Sequence, residues 1–147
     1  MDAGQAAGAA DALARRVADA MYGQDDASRN LGIRLEAVGA GWARMSMPVT
    51  DNMLNGHRVC HGGYIFSLAD SAMAFASNSR NRVSVAQFCS ITFLRPGRAG
   101  CLLLAEAREQ ADAGRTGMYA VEVREDGGEV VAVFSGAVRR LGERTIV

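Results

Sequence analysis

The sequence predicts an α+β domain in which an antiparallel sheet curls around one central helix. Two observations point there. Residues Tyr64 to Asn78 form an apolar stretch of helical length with Asp70 as its single charge. From Val83 onward the chain reads as strand after strand, with turn residues between the segments.

The elements follow in order. Residues 1–9 are small and polar and read as a flexible tip, leaving 10–147 as a single domain. From Ala10 to Met21, Leu13, Val17 and Met21 fall on one face of a short amphipathic helix. Asp25-Asp26-Ala27-Ser28 breaks it. Ile33, Leu35 and Ala37 then alternate with Arg34 and Glu36, as a half-buried strand requires. A turn at Gly39 to Gly41 leads into a second strand, where Met45, Met47 and Val49 alternate with Arg44 and Ser46 and Pro48 suggests an edge or an end. After the long helix, Val83 to Leu94 stops at Arg95-Pro96-Gly97. Cys101 to Glu109, a loop from Asp112 to Gly117, and Met118 to Glu125 come next. Asp126-Gly127-Gly128 reads as a tight hairpin turn into Val130 to Arg139. The methionines of the second strand read as core packing.

Within the long helix, Ile65, Leu68, Ala69, Ala72, Phe75 and Ala76 make a broad apolar face suited to the sheet. Ser67, Asp70, Ser71, Ala74 and Ser77 make a narrower face of small or polar residues, which permits close approach by another chain or a ligand.

Composition excludes several classes of partner. With 147 residues, 49% of them hydrophobic, the chain can bury one proper core. Its formal charge is +0, and all the basic residues are arginines scattered from Arg15 to Arg144, which argues against nucleic acid. Membrane spanning is rejected as well, because the best candidate run, Gly62 to Ser79, contains Asp70 and several serines. An odd set of cysteines (Cys60, Cys89 and Cys101), with no basic and apolar leader, reads as a reduced, cytoplasmic protein.

The chemistry concentrates in Asn55-Gly56-His57-Arg58-Val59-Cys60-His61-Gly62-Gly63 and the helix after it. Gly62-Gly63 stands where the helix begins, so its first N–H groups lack intrahelical partners and carry the positive end of the macrodipole. Glycine lets a carbonyl come close, and His61 and Asn55 can add donors, which is the layout of an oxyanion hole for acyl transfer. Asp70 suits a general base drawing a proton from water, or a nucleophile. Its burial in an apolar helix is costly unless a partner, water or substrate compensates. Eight residues at a rise of about 1.5 Å put Asp70 roughly 12 Å along the helix from Gly62. One helix therefore cannot bring both to one carbonyl, and if both act, a two-fold dimer is the smallest active unit. His57, Cys60 and His61 match no common zinc spacing, so no metal is expected. Cys60 beside His61 also admits a thiol nucleophile, although a single cysteine here also suits simple packing.

Taken together, Asn55-Gly56-His57, Cys60-His61-Gly62-Gly63, Phe66-Ser67-Leu68-Ala69-Asp70, Asn78 and Phe93-Leu94-Arg95-Pro96-Gly97 resemble the hotdog-fold acyl-CoA thioesterases of the phenylacetate-degradation (PaaI) family, from about Leu31 to Leu141. That resemblance implies hydrolysis of phenylacetyl-CoA or hydroxyphenylacetyl-CoA type thioesters to the free acid and coenzyme A, with no cofactor beyond the coenzyme A of the substrate. It also implies hotdog dimers that pair into tetramers. By position, the Gly62 N–H polarises the thioester carbonyl, Asn55 and His61 support that site, Gly63 belongs to the same turn, and Asp70 of the other subunit activates water or attacks. Ser67 and Ala74 would shape the acyl pocket, and Arg95, Arg98 or Arg115 would meet the coenzyme phosphates. In some relatives a serine or threonine on the strand after the helix holds the water; here Ala86 takes that place, with Ser84 as a substitute if it faces the same side. The rival readings are a hotdog enoyl- or hydroxyacyl-thioester hydratase, which the positions of His61 and Asp70 fit less well, and a non-catalytic acyl-CoA-binding module, against which an intact Asp70 argues.

Overall fold

The computed structural model describes residues 2–147. Its elements are α1 (Ala3–Gln24), α2 (Asp26–Asn30), β1 (Arg34–Gly39), β2 (Trp42–Pro48), a short 3-10 turn (Asp51–Met53), α3 (Gly62–Asn78), β3 (Ser84–Phe93), β4 (Leu102–Ala113), β5 (Thr116–Glu125) and β6 (Val130–Arg140). All six strands join one antiparallel sheet in the order β1-β2-β4-β5-β6-β3. The sheet bends around α3, which touches every strand. Register shifts in the β1–β2, β3–β6, β4–β5 and β5–β6 pairings supply the bulges that such bending needs. This is the predicted α+β architecture, with a hotdog arrangement of sheet and helix.

Alternation drives the packing. In β5, every second side chain from Gly117 to Glu125 is buried and those between them face solvent. Met45 and Met47 of β2, Leu103 and Ala105 of β4, Val121 and Val123 of β5 and Phe134 of β6 meet Leu68, Ala72, Met73 and Phe75 of α3 in one core. Gly136 of β6 lies under the Met73 sulfur, where a β-carbon would collide. Leu68 is fully buried at the centre of this contact. Truncating such a leucine to alanine costs about 2–5 kcal/mol.

The N-terminal helix differs from expectation. Residues 3–9 are helical rather than a flexible tip, so α1 starts at Ala3 instead of Ala10; Met1 lies outside the described residues. Alanine is the strongest helix former, so a stretch that looks featureless by polarity propagates a helix that Val17 and Ala18 anchor by burial. The Tyr22 hydroxyl donates to the Ile33 carbonyl at 2.7 Å, and its ring meets Phe75 of α3 edge-on. Asp25 does break α1, but it also starts α2 by accepting from the Ser28 N–H at 2.9 Å. The loop expected from Asp112 to Gly117 shrinks to a turn at Gly114 and Arg115, because β4 and β5 stay paired out to Ala113 and Thr116.

The two ends of α3 are fixed differently. At its C-terminal end the buried Asn78 accepts from the Ser84 N–H at 2.8 Å and donates to the Ala74 and Ser84 carbonyls, which ties the last turn to the start of β3. Its N-terminal end opens onto the loop that carries the candidate chemistry.

Candidate active site

Residues 54–60 form a small hairpin closed by the Leu54–Cys60 bridge and by the Asn55 N–H donating to the Val59 carbonyl at 2.9 Å. Inside it the Asn55 side-chain oxygen accepts from the backbone of His57 at 2.9 Å and of Val59 at 3.4 Å. That oxygen is committed to the loop, while the Asn55 NH2 group takes no partner among the described residues. A second bridge joins Val59 to Arg98, and the Cys60 N–H donates to the Gly97 carbonyl at 2.8 Å, so the hairpin leans on the 95–98 turn.

His61 caps α3. With an extended backbone (φ −60°, ψ 135°), its Nδ1 accepts from the Gly63 N–H at 2.9 Å. An imidazole that accepts at Nδ1 carries its proton on Nε2, which leaves a donor at the exposed tip. The Tyr64 N–H is taken by the His61 carbonyl at 3.0 Å. The Gly62 N–H has no acceptor among the described residues, and it stands at the positive end of α3. Gly62 must also be small: a β-carbon there would lie 2.8 Å from the Phe93 ring. Sequence reading gave Phe93 no role at this spot. The signal for it was its place at the end of β3, beside the turn that holds Gly97.

Asp70 lies in the middle of α3, half-buried, with no hydrogen bond and no ion pair among the described residues. Burial raises its pKa above the ordinary aspartate value of 3.8. Cys89 of β3 is within its electrostatic reach, since the Cys89 thiol is pushed up by burial and then by the Asp70 charge. Cys89 was a second residue that spacing alone did not place here. Ser67 and Ala74 flank Asp70 one turn to either side on the same face. The Ser67 hydroxyl donates back to the Gly63 carbonyl at 2.9 Å. Ala74 borders a crevice of about 560 Å³ shared with Met21, Gln24, Phe75 and Ile146.

Other candidates separate from this centre. The Cys60 thiol is buried, pushed up to about 11 by that burial and by the neighbouring Cys101, and its nearest polar contact is the His61 carbonyl at 3.6 Å. A protonated, buried thiol is no nucleophile. Ser84 belongs to the far end of α3, where its hydroxyl donates to the Arg82 carbonyl at 3.1 Å, so it does not stand in for a water-holding hydroxyl beside Asp70. Ala86 sits in the β3 bulge that runs from Ala86 to Phe88. Arg95 and Arg98 do lie near the Gly62 end, but both are engaged: Arg95 with Glu129 at 2.8 Å, and Arg98 with Glu125 at 2.6 Å. The Arg98 hydrogen bonds hold the Glu125 carboxyl below the usual carboxylate range. Arg115 is at the β4–β5 turn, by the C-terminal end of α3, so one chain does not bring it together with Arg95. Among the described residues no helix is long and apolar enough to cross a membrane.

Comparison with known proteins fits this geometry. Residues 57–132 match the thioesterase superfamily. The chain is 45% identical over 125 residues to the acyl-coenzyme A thioesterase PaaI of Escherichia coli, covering 85% of this chain and 89% of that one. It is 38% identical over 131 residues to a putative esterase of Archaeoglobus fulgidus, covering 89% and 85% of the two chains. The solved structure of E. coli PaaI, a protein of the phenylacetic acid degradation operon, superposes with a TM-score of 0.89 at 42% identity, over 91% of this chain and 97% of that one. A Streptococcus mutans protein bound to acetyl CoA superposes with a TM-score of 0.73 at 28% identity, over 77% and 91%. The chain thus belongs to the thioesterase superfamily, and it is a hotdog-fold thioester hydrolase of the PaaI kind.

Proposed function

We propose that this protein hydrolyses arylacetyl thioesters of coenzyme A, of the phenylacetyl-CoA or hydroxyphenylacetyl-CoA type, at a site shared by two subunits. One observation carries the proposal: the Gly62 N–H and the Asp70 carboxylate are both unclaimed among the described residues, yet stand about 12 Å apart along one helix. An antiparallel second copy of α3 brings Asp70 of one chain to Gly62 of the other. The carbonyl oxygen then faces the Gly62 N–H, with Asn55 and His61 supplying further donors. Asp70 takes a proton from water as the water oxygen bonds to the carbonyl carbon, or attacks that carbon itself to form an acyl anhydride that water then hydrolyses to the free acid and the regenerated carboxylate. The carbon–sulfur bond breaks, and the coenzyme A thiolate leaves and is protonated. This chemistry asks for water and for no metal or redox group.

Support for the dimer comes from β3. It is one of the two outer strands of the sheet, its free edge is 10 residues long, and Val85, Phe88 and Phe93 are 45%, 65% and 50% exposed. A long apolar edge calls for a cover, and a two-fold copy of itself extends the sheet across both chains. Further pairing into a tetramer and a cytoplasmic location, consistent with three free cysteines, belong to the same proposal. The substrate class rests on the likeness to E. coli PaaI and its operon.

Thiol release from a panel of aryl and alkyl CoA thioesters tests it. Arylacetyl esters should give the highest kcat/KM. Preference for straight alkyl chains rejects the substrate class, and water addition to an enoyl thioester without thiol release rejects the reaction.

A further inference from the structure

A thioester carbonyl held at Asp70 carries two arms, an acyl group and the coenzyme, and the surface beside Asp70 discriminates between them. Four residues further along α3, about 6 Å toward its C-terminal end and on the same face, Ala74 opens onto the crevice of about 560 Å³. Ala20, Met21, Ala74, Phe75 and Ile146 give that crevice an apolar lining, and Asp25 is its single ionisable residue. Phosphates are disfavoured by an apolar lining with one carboxylate and no arginine. A hydrocarbon or aryl group is what it suits.

The wall contributed by Ile146 comes from the segment after β6, which forms neither helix nor strand and is nonetheless fastened in place. The Asn81 side chain accepts from the Ile146 and Val147 N–H groups at 2.7 and 3.0 Å and donates to the Val147 carbonyl at 2.7 Å. The Val83 N–H donates to the Arg144 carbonyl at 3.0 Å, and the Val83 carbonyl accepts from the Leu141 N–H at 2.9 Å. These bonds lay residues 141–147 along residues 81–83, just past the end of α3. As a result Ile146 is half-buried in the crevice with Ala74 and Phe75, while the neighbouring Val147 is 49% exposed.

Resting on the thioesterase reading, we propose that Ile146 is a specificity-determining residue that walls the acyl pocket next to Asp70 of its own chain, with Asn81 as the residue that positions it. The room left for the acyl group is then set by a side chain outside the sheet and α3. Ile146 acts on the choice of acyl group and not on the reacting carbonyl.

The test reads selectivity, which a purely structural role leaves alone. Thiol release from acetyl-, phenylacetyl- and naphthylacetyl-CoA is compared among the wild type, Ile146→Ala, Ile146→Phe and Asn81→Gly, with thermal unfolding alongside. Glycine suits the φ of 60° at Asn81. Ile146→Ala widens the crevice and should raise kcat/KM for the naphthylacetyl ester relative to the phenylacetyl ester roughly tenfold. Ile146→Phe narrows it and should lower the phenylacetyl value relative to the acetyl value by about the same factor. Asn81→Gly releases the segment and should move selectivity in the direction of Ile146→Ala. Wild-type ratios in both Ile146 variants, or a loss in equal proportion on all the esters, overturn the assignment and leave the thioesterase reading standing. Wild-type ratios in Asn81→Gly overturn the part given to Asn81. Failure of the wild type to release thiol from any of these esters removes the thioesterase reading and the pocket with it.

Discussion

The His61 Nδ1 accepts the Gly63 N–H at 2.9 Å, and this one hydrogen bond decides which amide at the start of α3 is free for a substrate. It fixes the helix start and the imidazole tautomer together, so His61 serves stability and the site by different nitrogens. His61→Ala should therefore lower stability by about 1 kcal/mol, the usual worth of a helix cap, and also slow turnover. His61→Asn restores a capping oxygen but not the Nε2 donor. Thermal unfolding near that of the wild type with reduced kcat is the expected pairing for it. Wild-type stability and wild-type kcat in the His61→Asn variant would mean that only the cap matters.

Asp70 should show the opposite balance of stability and activity. Asp70→Asn removes the base or nucleophile, and kcat should fall by about 10² or more. The fold loses nothing, because desolvation raises the Asp70 pKa and ionisation is therefore a cost to the folded state. That cost is absent at pH values below the unfolded pKa, appears as the pH rises through the raised folded pKa, and is full above it. Asp70→Asn should thus unfold at a higher temperature than the wild type at neutral pH, with the difference vanishing in acid below the ordinary value of 3.8. Wild-type kcat/KM should rise with pH over the same titration, with a midpoint above that ordinary value. An Asn variant less stable than the wild type at neutral pH contradicts this account.

Much of the fold was legible because burial imposes periodicity: β5 alternates throughout and β4 and β6 over most of their length, and the α3 residues assigned to the sheet face, from Ile65 to Ala76, are buried in the core. The beginning of α1 was not, since small residues carry no amphipathic signal even where alanine favours helix. In the site, Gly62 and Asp70 stood out by residue type alone. The Gly63 amide did not reveal its commitment to His61, which depends on a side-chain rotamer. Nor did Arg98 reveal its pairing with Glu125, 27 residues away, which follows from how the 95–98 turn meets the end of β5. Local chemistry was readable, whereas the question of which groups remain unsatisfied required the packing.

The β3 edge makes a prediction about assembly. Phe88 is 65% exposed in the single chain, and in a β3-paired dimer it comes close to the two-fold partner. Phe88→Lys places like charges across that seam and should shift the protein toward monomer in sedimentation velocity. Activity should fall by about 10² or more alongside it, because each site then lacks the carboxylate of the other chain. Full activity in a proven monomer contradicts a shared site.

Mixing experiments address the shared site most directly. Gly62→Ala brings a β-carbon against the Phe93 ring and disturbs the amide that faces the carbonyl, whereas Asp70→Asn leaves that amide intact and removes the carboxylate. Each homodimer should be nearly inactive. After subunit exchange in equal amounts, half of the dimers are mixed, and in each mixed dimer one site carries both defects and the other carries neither. Recovered activity should thus approach roughly a quarter of the wild-type value, a consequence of two-fold symmetry alone. If Asp70 and Gly62 instead served one carbonyl within a single chain, every site in the mixture would contain a defect and nothing would be recovered. Native mass spectrometry of the exchanged sample separates that result from a failure to mix, so inactivity in a sample shown to hold mixed dimers excludes the trans arrangement.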